Sequence, residues 1–380
     1  MLSGLFDLNQ LSLKARLTRF GKRVYGELRT RIAILFPYLI TTEKGKIIYE
    51  KRINQRDIRF GLYSDLVKEK FGYLKGYVDY EYVLEHHGIL IEPYTGWGIK
   101  NGFLLFYSVA ANNWDKITAV ARHPKPNRLD SLRLRQTVSI SEAIYLNYFF
   151  FYANNYWHFI NNFLGQLILA NEHLDLTRVP VVVPNSVFHS KWFEELYRVS
   201  PFIGSIEWIP LDKCYLKISK IYFVNNLSYS KRYFELTKKT VFNFKIQKFS
   251  RRPKKVFLTR RNVKSRVLIN RNEIHQIASK YDFTILDTAD FSIEEQMYSF
   301  GDVTHLIGIH GAGISNLCFT EQSNVRILEV FPGDWIKGTY FLLANSYKWD
   351  YEAIIATRQE NGGFYLQPGK FEVCLRTWLN

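Results

Sequence analysis

The sequence predicts an α/β protein built from two Rossmann-like domains. The length of 380 residues suits about two domains, and the 47% hydrophobic content provides material for two packed cores. From residue 137 onward, strand-like and helix-like segments alternate repeatedly. The first domain is predicted to cover residues 1–248 and the second residues 249–360. A tail of residues 361–380 is predicted to pack back on the first domain.

The first domain is predicted to contain a doubly wound, mostly parallel sheet. Its predicted strands are residues 103–108, 117–121, 137–151, 179–183, 206–209 and 215–224, and its predicted helices are residues 156–175, 187–197 and 231–243. Asn154 or Asn155 can cap the first of these helices. His158 would then lie in the first helical turn, at the carboxyl end of the preceding strand.

The second domain is predicted to begin with the polar segment 249–255, which carries Pro253 and is interpreted as the linker between the domains. Its predicted strands are residues 255–259, 283–286, 302–310, 325–331 and 351–355, and its predicted helices include residues 272–281 and 338–346. Ser292 and Glu295 form a Ser-x-x-Glu capping box at the start of another helix. This order of elements predicts the second Rossmann-like domain.

The formal net charge of +16 indicates an anionic partner. Nucleic acid, an anionic membrane and a negatively charged substrate all fit this charge. Residues 1–40 are predicted to form either a basic segment that lies on an anionic membrane or an ordinary solvated helix. The sequence contains no run of 18 apolar residues, so it predicts no transmembrane helix. The basic N-terminus also lacks the form of a signal peptide.

Cysteine usage indicates a reducing compartment. The three cysteines are far apart, odd in number and without CxxC spacing, which argues against a disulfide framework or a cysteine-based metal site. We therefore expect a cytoplasmic protein, placed next to the inner membrane face if the basic N-terminus binds lipid.

The stretch from Asp302 to Phe319 is the strongest candidate for a ligand site. It contains an apolar run of strand length, a turn of small residues and an apolar segment at helical spacing, with His310, Gly311, Ala312 and Gly313 at the turn. The amides at a helix N-terminus favour a phosphate or another anion, and small residues allow close approach. The alternative is a tight turn with a core histidine.

Two further features point to the same edge of the second sheet. Arg260, Arg261 and Arg266 follow the strand of residues 255–259, and nine of the 21 residues in the range 251–271 are Lys or Arg. Guanidinium groups bind phosphate oxygens bidentately, whereas the ordinary interpretation of such a run is a solvated basic face. In the first domain, His158 near a helix N-terminus favours the neutral imidazole, which can accept a proton; the alternative is a histidine packed among aromatic side chains.

Five short motifs, taken in order and with their spacing, resemble the family 61 glycosyltransferases. They are Asn155-Tyr156-Trp157-His158; Arg260, Arg266 and Asn272-Glu273; Glu295-Gln296; His310-Gly311-Ala312-Gly313 with Asn316; and Glu329. The resemblance runs from about residue 150 to about residue 355. The chain departs from the family pattern after His158, where Asn162 and Leu164-Gly165-Gln166 replace an acidic residue and a Pro-Arg pair.

The resemblance implies a GT-B architecture, with two Rossmann-like domains that face each other across a cleft. It also implies an inverting transfer from a nucleotide sugar without a metal or other cofactor. By position, His310 to Gly313 and Asn316 would hold the donor diphosphate, Arg260 and Arg266 would neutralise it, and Glu329 would bind the ribose hydroxyls. The supporting positions would be Asn155, Asn272, Glu273, Glu295 and Gln296. His158 is our hypothesis for the catalytic base.

The predicted acceptor is a glycan or glycolipid, and the predicted role is surface polysaccharide synthesis. A hydrolase with a His-Gly-Gly-Gly-type loop is the rival enzyme class, but no Gly-x-Ser-x-Gly motif occurs in the chain. A nucleic-acid-binding module without catalysis is the alternative function, although an RRM or KH signature is absent from the sequence.

Overall fold

The computed structural model describes most of the chain between residues 40 and 380 and shows an α/β protein. The described residues are 40–41, 43–53, 63–76, 79–93, 96–101, 103–108, 136–146, 155–226, 229–250, 252–260, 266–333, 336–360 and 362–380. The predicted basic segment 1–40 lies outside them except for the backbone of residue 40. The predicted strand 117–121, Asn154 and Arg261 also lie outside the described residues.

Within the described residues, the first sheet has nine strands, and their directions are mixed. Its strands are β1 (Ile40–Thr41), β2 (Lys46–Ile53), β3 (Asp79–Ile91), β4 (Gly98–Lys100), β5 (Phe103–Leu105), β6 (Thr137–Leu146), β7 (Val181–Pro184), β8 (Trp208–Leu211) and β9 (Tyr215–Asn225). Strands β6, β7, β8 and β9 pair in parallel, but β3 pairs antiparallel with β2, β4 and β9. The prediction of a mostly parallel sheet is therefore wrong for this domain.

Strand β3 was missed because polar side chains occupy its buried positions. Glu81 is 1% exposed and accepts hydrogen bonds from the hydroxyls of Tyr49 and Tyr233, both at 2.6 Å. Glu85 and His86 are also buried. A strand whose inward residues are charged shows no alternation of apolar and polar residues, so hydrophobic periodicity cannot detect it.

Seven helices of the described residues precede the second sheet along the chain, and the first of these helices packs on that sheet through Phe71, whose ring lies against Phe331 and Tyr351. The seven helices are α1 (Asp65–Phe71), α2 (Tyr156–His158), α3 (Leu164–His173), α4 (Asn185–Phe188), α5 (Lys191–Val199), α6 (Pro201–Gly204) and α7 (Lys231–Thr240), and a π-helical turn (Phe159–Phe163) joins α2 to α3. Asn155 caps α2, since its Oδ1 accepts from the amide of Trp157 at 3.0 Å. This confirms that His158 lies in the first helical turn.

The second sheet is parallel throughout. Its strands are β10 (Lys255–Leu258), β11 (Thr284–Leu286), β12 (His305–Ile309), β13 (Arg326–Phe331) and β14 (Asp350–Ile355), in the spatial order β11-β10-β12-β13-β14. Helices α8 (Arg271–Lys280), α9 (Ile293–Phe300) and α10 (Thr339–Tyr347) connect or flank these strands. The chain leaves β10 toward β11 on one side and reaches β12 on the other. In open α/β sheets, ligands bind beyond the carboxyl ends of the strands at such a switch point.

The tail ends in helix α11 (Pro368–Leu379), preceded by the short strands β15 (Thr357–Arg358) and β16 (Phe364–Tyr365). Phe371, Leu375 and Trp378 of α11 are buried in the apolar cluster that covers one face of the second sheet. The hydroxyl of Tyr281 donates to Glu372 at 3.2 Å. The tail therefore packs on the second sheet. The prediction that it packs on the first domain is wrong.

One apolar core connects the two sheets. It includes Ile144 and Val183 of the first sheet together with Leu306 and Ile327 of the second. Within the described part of the chain, no helix is long and apolar enough to cross a membrane.

Candidate functional site

A buried pair, His310 and Glu329, lies at the carboxyl ends of β12 and β13. The Glu329 carboxylate is 0% exposed, and its Oε1 binds Nδ1 of His310. Its Oε2 accepts from the hydroxyl of Tyr351 at 2.5 Å. The His310 ring stacks on Phe331 with 5.2 Å between ring centroids. These contacts fix the imidazole, and both carboxylate oxygens have protein partners.

Two arginines meet at the backbone oxygen of His310. Nη1 of Arg266 donates to this oxygen at 2.7 Å, and Nη1 of Arg260 donates to it at 3.3 Å. Burial, followed by the charge of Arg266, lowers the pKa of Arg260 to about 10. Burial also lowers the pKa of Arg266. Two guanidinium groups that are partly removed from water and close to each other favour an anion between or above them.

Arg266 has a left-handed backbone. Its φ angle is 59°, which non-glycine residues adopt at a cost in free energy. This conformation follows directly after the segment 261–265, which lies outside the described residues. The surrounding contacts, including the bond to the His310 oxygen, hold the side chain at the switch point despite this cost.

The glycines of the turn provide space. Gly311 has extended backbone angles, φ 172° and ψ 167°, so the turn does not need an unusual dihedral there. A Cβ atom on Gly311 would lie 2.9 Å from Nη1 of Arg260, and one on Gly313 would lie 3.0 Å from Cδ2 of Leu258. Gly311 is buried beneath Arg260, whereas Ala312 and Gly313 are partly exposed. Close packing with Arg260 therefore explains why a residue without a side chain is needed at position 311.

The segment after the turn is a 3₁₀ helix, Ala312–Phe319. The sequence predicts a helix here, and the structure shows that it is a 3₁₀ helix. The hydroxyl of Ser315 donates to the oxygen of Ala312, and the amide of Ile314 donates to the oxygen of Gly311 at 3.2 Å. Gly311, the residue before this segment, packs against Arg260.

Two buried tyrosines that the sequence did not single out complete this region. The hydroxyl of Tyr340 donates to the oxygen of Gly311 at 2.6 Å, and Tyr351 binds Glu329 as described above. The sequence predicts only that Tyr340 lies in the helix of residues 338–346 and Tyr351 in the strand of residues 351–355. A buried tyrosine hydroxyl usually needs a partner, which is the signal that could have marked them.

Helix α2 lies directly against the turn. The hydroxyl of Tyr156 donates to Oδ1 of Asn316 at 2.8 Å, and both side chains are buried. The ring of Trp157 packs edge-on against Tyr340, with 5.1 Å between centroids. The structure therefore brings the helical turn of His158 next to the turn of His310. The first of these turns belongs to a helix beside the first sheet, and the second follows a strand of the second sheet.

His158 is held by a residue one turn later. Its Nδ1 lies 2.8 Å from Oδ1 of Asn162. Since an amide oxygen only accepts, Nδ1 carries the hydrogen and Nε2 is the basic nitrogen of the neutral ring. Burial lowers the pKa of His158, and the bond to Asn162 opposes this shift. The neutral imidazole is thus the favoured form near pH 7.

Four of the five predicted supporting residues lie on α8 and α9, while Asn155 caps α2. Asn272 and Glu273 are exposed on α8, and Glu273 accepts from Asn270, which also binds the backbone of Leu366. The amide of Glu295 donates to the hydroxyl of Ser292 at 3.1 Å, which is one of the two bonds of the predicted capping box. Gln296 is buried and donates to the oxygen of Phe291 at 3.3 Å.

Part of the chain is similar to a known family. Residues 156–327 match the model of the family Glycosyltransferase 61. The match begins at α2 and ends within β13, so it includes His158, both arginines and the His310 turn, and Glu329 lies two residues beyond it. No curated protein matches the chain. Among the described residues, no group of three His, Cys, Asp or Glu side chains could hold a metal ion.

Proposed function

We propose that this glycosyltransferase, which resembles family 61 over residues 156–327, moves a sugar from a nucleotide sugar to a glycan or glycolipid acceptor with inversion and without a metal. The observation that carries the proposal is the arginine pair at the switch point, where Arg260 and Arg266 share the backbone oxygen of His310. The proposed architecture is GT-B, with the donor on the second sheet and the acceptor on the side of α2.

The donor diphosphate needs fixed positive charge. When the bond between sugar and diphosphate breaks, negative charge develops on the leaving group, and prearranged donors stabilise that charge. We propose that Arg260 and Arg266, which both donate to the His310 oxygen, hold the diphosphate at the end of β12 together with the amides of Ala312 and Gly313. Guanidinium groups and amides can supply there the charge that a metal ion supplies in other transferases.

Glu329 receives a different role from the one first expected. Both of its carboxylate oxygens bind protein groups and its side chain is fully enclosed, which is not the geometry of a group that binds ribose hydroxyls. We propose instead that Glu329 orients His310, so that Nε2 of the imidazole points away from the carboxylate. Asn316 is held by Tyr156 and would fix the turn against α2.

His158 is the proposed base. The acceptor hydroxyl must lose a proton as it attacks the sugar from the face opposite the diphosphate, and a neutral imidazole with a basic Nε2 can accept it. The contacts of Tyr156 with Asn316 and of Trp157 with Tyr340 support this proposal, because they join the helical turn of His158 to the region where we propose that the donor binds. Unpaired thiols at all three cysteines fit the proposed cytoplasmic reaction.

Binding of nucleotide sugars tests the function directly. We expect one or a few members of a panel of nucleotide sugars to raise the melting temperature of the chain, because a ligand that binds only the folded state stabilises it. The same shift is expected in the presence of EDTA. Stabilisation that EDTA abolishes would contradict metal independence, and absence of stabilisation by every nucleotide sugar and nucleoside diphosphate would contradict the donor site.

Asn162, which is hydrogen-bonded to His158, is expected to influence the pH dependence of turnover. Replacement of Asn162 by Asp places a carboxylate at Nδ1, which should raise the pKa of His158 by about one to three units. Because a base works only when deprotonated, turnover should then fall at a higher pH than in the unchanged chain. The measurement is the pH profile of kcat for both proteins. An unchanged profile would show that His158 is not the group whose titration limits turnover.

A further inference from the structure

The segment between the two sheets carries uncompensated positive charge. Residues 239–254 contain six Lys or Arg and no Asp or Glu. Four lysines of this segment, Lys239, Lys245, Lys248 and Lys254, are exposed and form what we call the lysine strip. Within the described residues, none of the four forms an ion pair, whereas their neighbours Lys238 and Arg252 bind Glu235, Asp302 and Glu321.

The strip is fixed to the folded core. Phe244 and Ile246 pack against the main apolar cluster, while the intervening Lys245 is exposed. The ring of Phe242 packs edge-on against Phe319 at 4.9 Å between centroids. The oxygen of Lys254 accepts from the amide of Thr304 at 2.8 Å. Apolar residues thus attach the segment to the protein and leave the ammonium groups in water.

Lys254, at one end of the strip, lies at the edge of the second sheet opposite Arg260 and His310. Lys254 directly precedes β10, and its oxygen also accepts from the amide of His305, the first residue of β12. Arg260 and His310 follow the other ends of these strands. Five residues of β12 separate the two edges by about 16 Å, at roughly 3.3 Å per residue. This end of the strip is therefore separate from the proposed donor position.

The chemistry of the strip fits a lipid surface. Lysine is a hydrated point charge that attracts anionic headgroups without a fixed geometry, whereas specific phosphate recognition favours arginine forks. Stacking on nucleic-acid bases would need exposed aromatic faces, but Phe242 is buried and Phe244 packs on the core. We propose that the lysine strip binds the anionic headgroups of a phospholipid bilayer. This surface does not depend on the proposed transfer reaction.

Vesicle flotation of the full chain tests the proposal. The probes are vesicles of phosphatidylglycerol with phosphatidylcholine, and vesicles of phosphatidylcholine alone. We expect binding to the anionic vesicles only, and loss of this binding when salt is raised to about 1 M, where the screening length is about 3 Å. Lysines near an anionic membrane each contribute about fivefold to partitioning, so joint replacement of the four strip lysines by Ser should weaken binding by several hundredfold.

A matched control separates the strip from net charge. Joint replacement of the exposed lysines Lys213, Lys217, Lys280 and Lys370 by Ser removes the same charge elsewhere on the described surface and should weaken binding far less. The pair Lys245→Ser and Lys248→Ser, which leaves α7 and β10 unchanged, should still cost about 25-fold. Equal losses in the strip variant and the control would overturn the proposal. So would retention of single-stranded DNA or a soluble anionic polysaccharide without binding to anionic vesicles.

Discussion

Replacement of His158 by Ala is expected to lower kcat by about 10²- to 10⁴-fold, the usual contribution of a general base. Stabilisation of the chain by its nucleotide sugar should remain unchanged, because the donor-side contacts of Arg260, Arg266 and the His310 turn do not involve this side chain. Burial lowers the pKa of His158 below the ordinary value of 6.5, so the acidic midpoint of the kcat profile of the unchanged chain should lie below pH 6.5. Turnover is lost there because the imidazole becomes protonated.

His173 provides the matched control for this variant. It belongs to α3, which continues from α2 through the π-helical turn, and it stacks on Tyr49 at 4.2 Å between ring centroids. Replacement of His173 by Ala should leave kcat and its pH profile unchanged. Normal turnover of the His158 variant would remove this residue from the mechanism, and a parallel loss of donor stabilisation would assign it to donor binding instead.

Local chemistry made parts of the site predictable from the sequence. Asn155 and Ser292 cap their helices as predicted, because a cap needs only a side chain and an amide two or three residues away. The position of His158 follows from the first cap. The spacing of His158 and Asn162 also indicates contact on one helical face. Short-range rules thus located the start of α2.

Long-range pairing was not predictable in the same way. The direction of β3 depends on its partner β9, more than 100 residues later, and buried Glu81 and Glu85 hide its period. The family resemblance implied that Glu329 binds the donor. The sequence alone does not give the hydrogen-bond partners of its carboxylate. Only the tertiary structure shows that His310 and Tyr351 occupy both carboxylate oxygens. The sequence therefore indicated that the site lies at the carboxyl-terminal edge of the second sheet. It did not indicate which residues there bind a ligand and which hold other residues in place.

Replacement of Arg260 by Met is expected to lower kcat/KM by about 10²- to 10³-fold, the usual cost of removing one donor that stabilises charge in the transition state. Burial and the charge of Arg266 lower the pKa of Arg260 to about 10, so the folded chain disfavours this cation relative to water. Both folded and unfolded forms carry the charge below about pH 10, so that cost is present at neutral pH. The variant should accordingly keep or raise its melting temperature while it loses activity.

Arg252 supplies the control for this experiment, since its guanidinium binds Asp302 and Glu321 at the opposite edge of the sheet. Replacement of Arg252 by Met should leave kcat/KM unchanged, although it removes the same charge and the same side-chain length. Replacement of Arg260 by Lys should restore only part of the activity, because an ammonium keeps the charge but not the fork. If the Arg260 variant loses stability together with activity, the guanidinium serves the fold. If stability is kept and transfer is lost, the partly buried Arg260 charge is retained for the departing diphosphate.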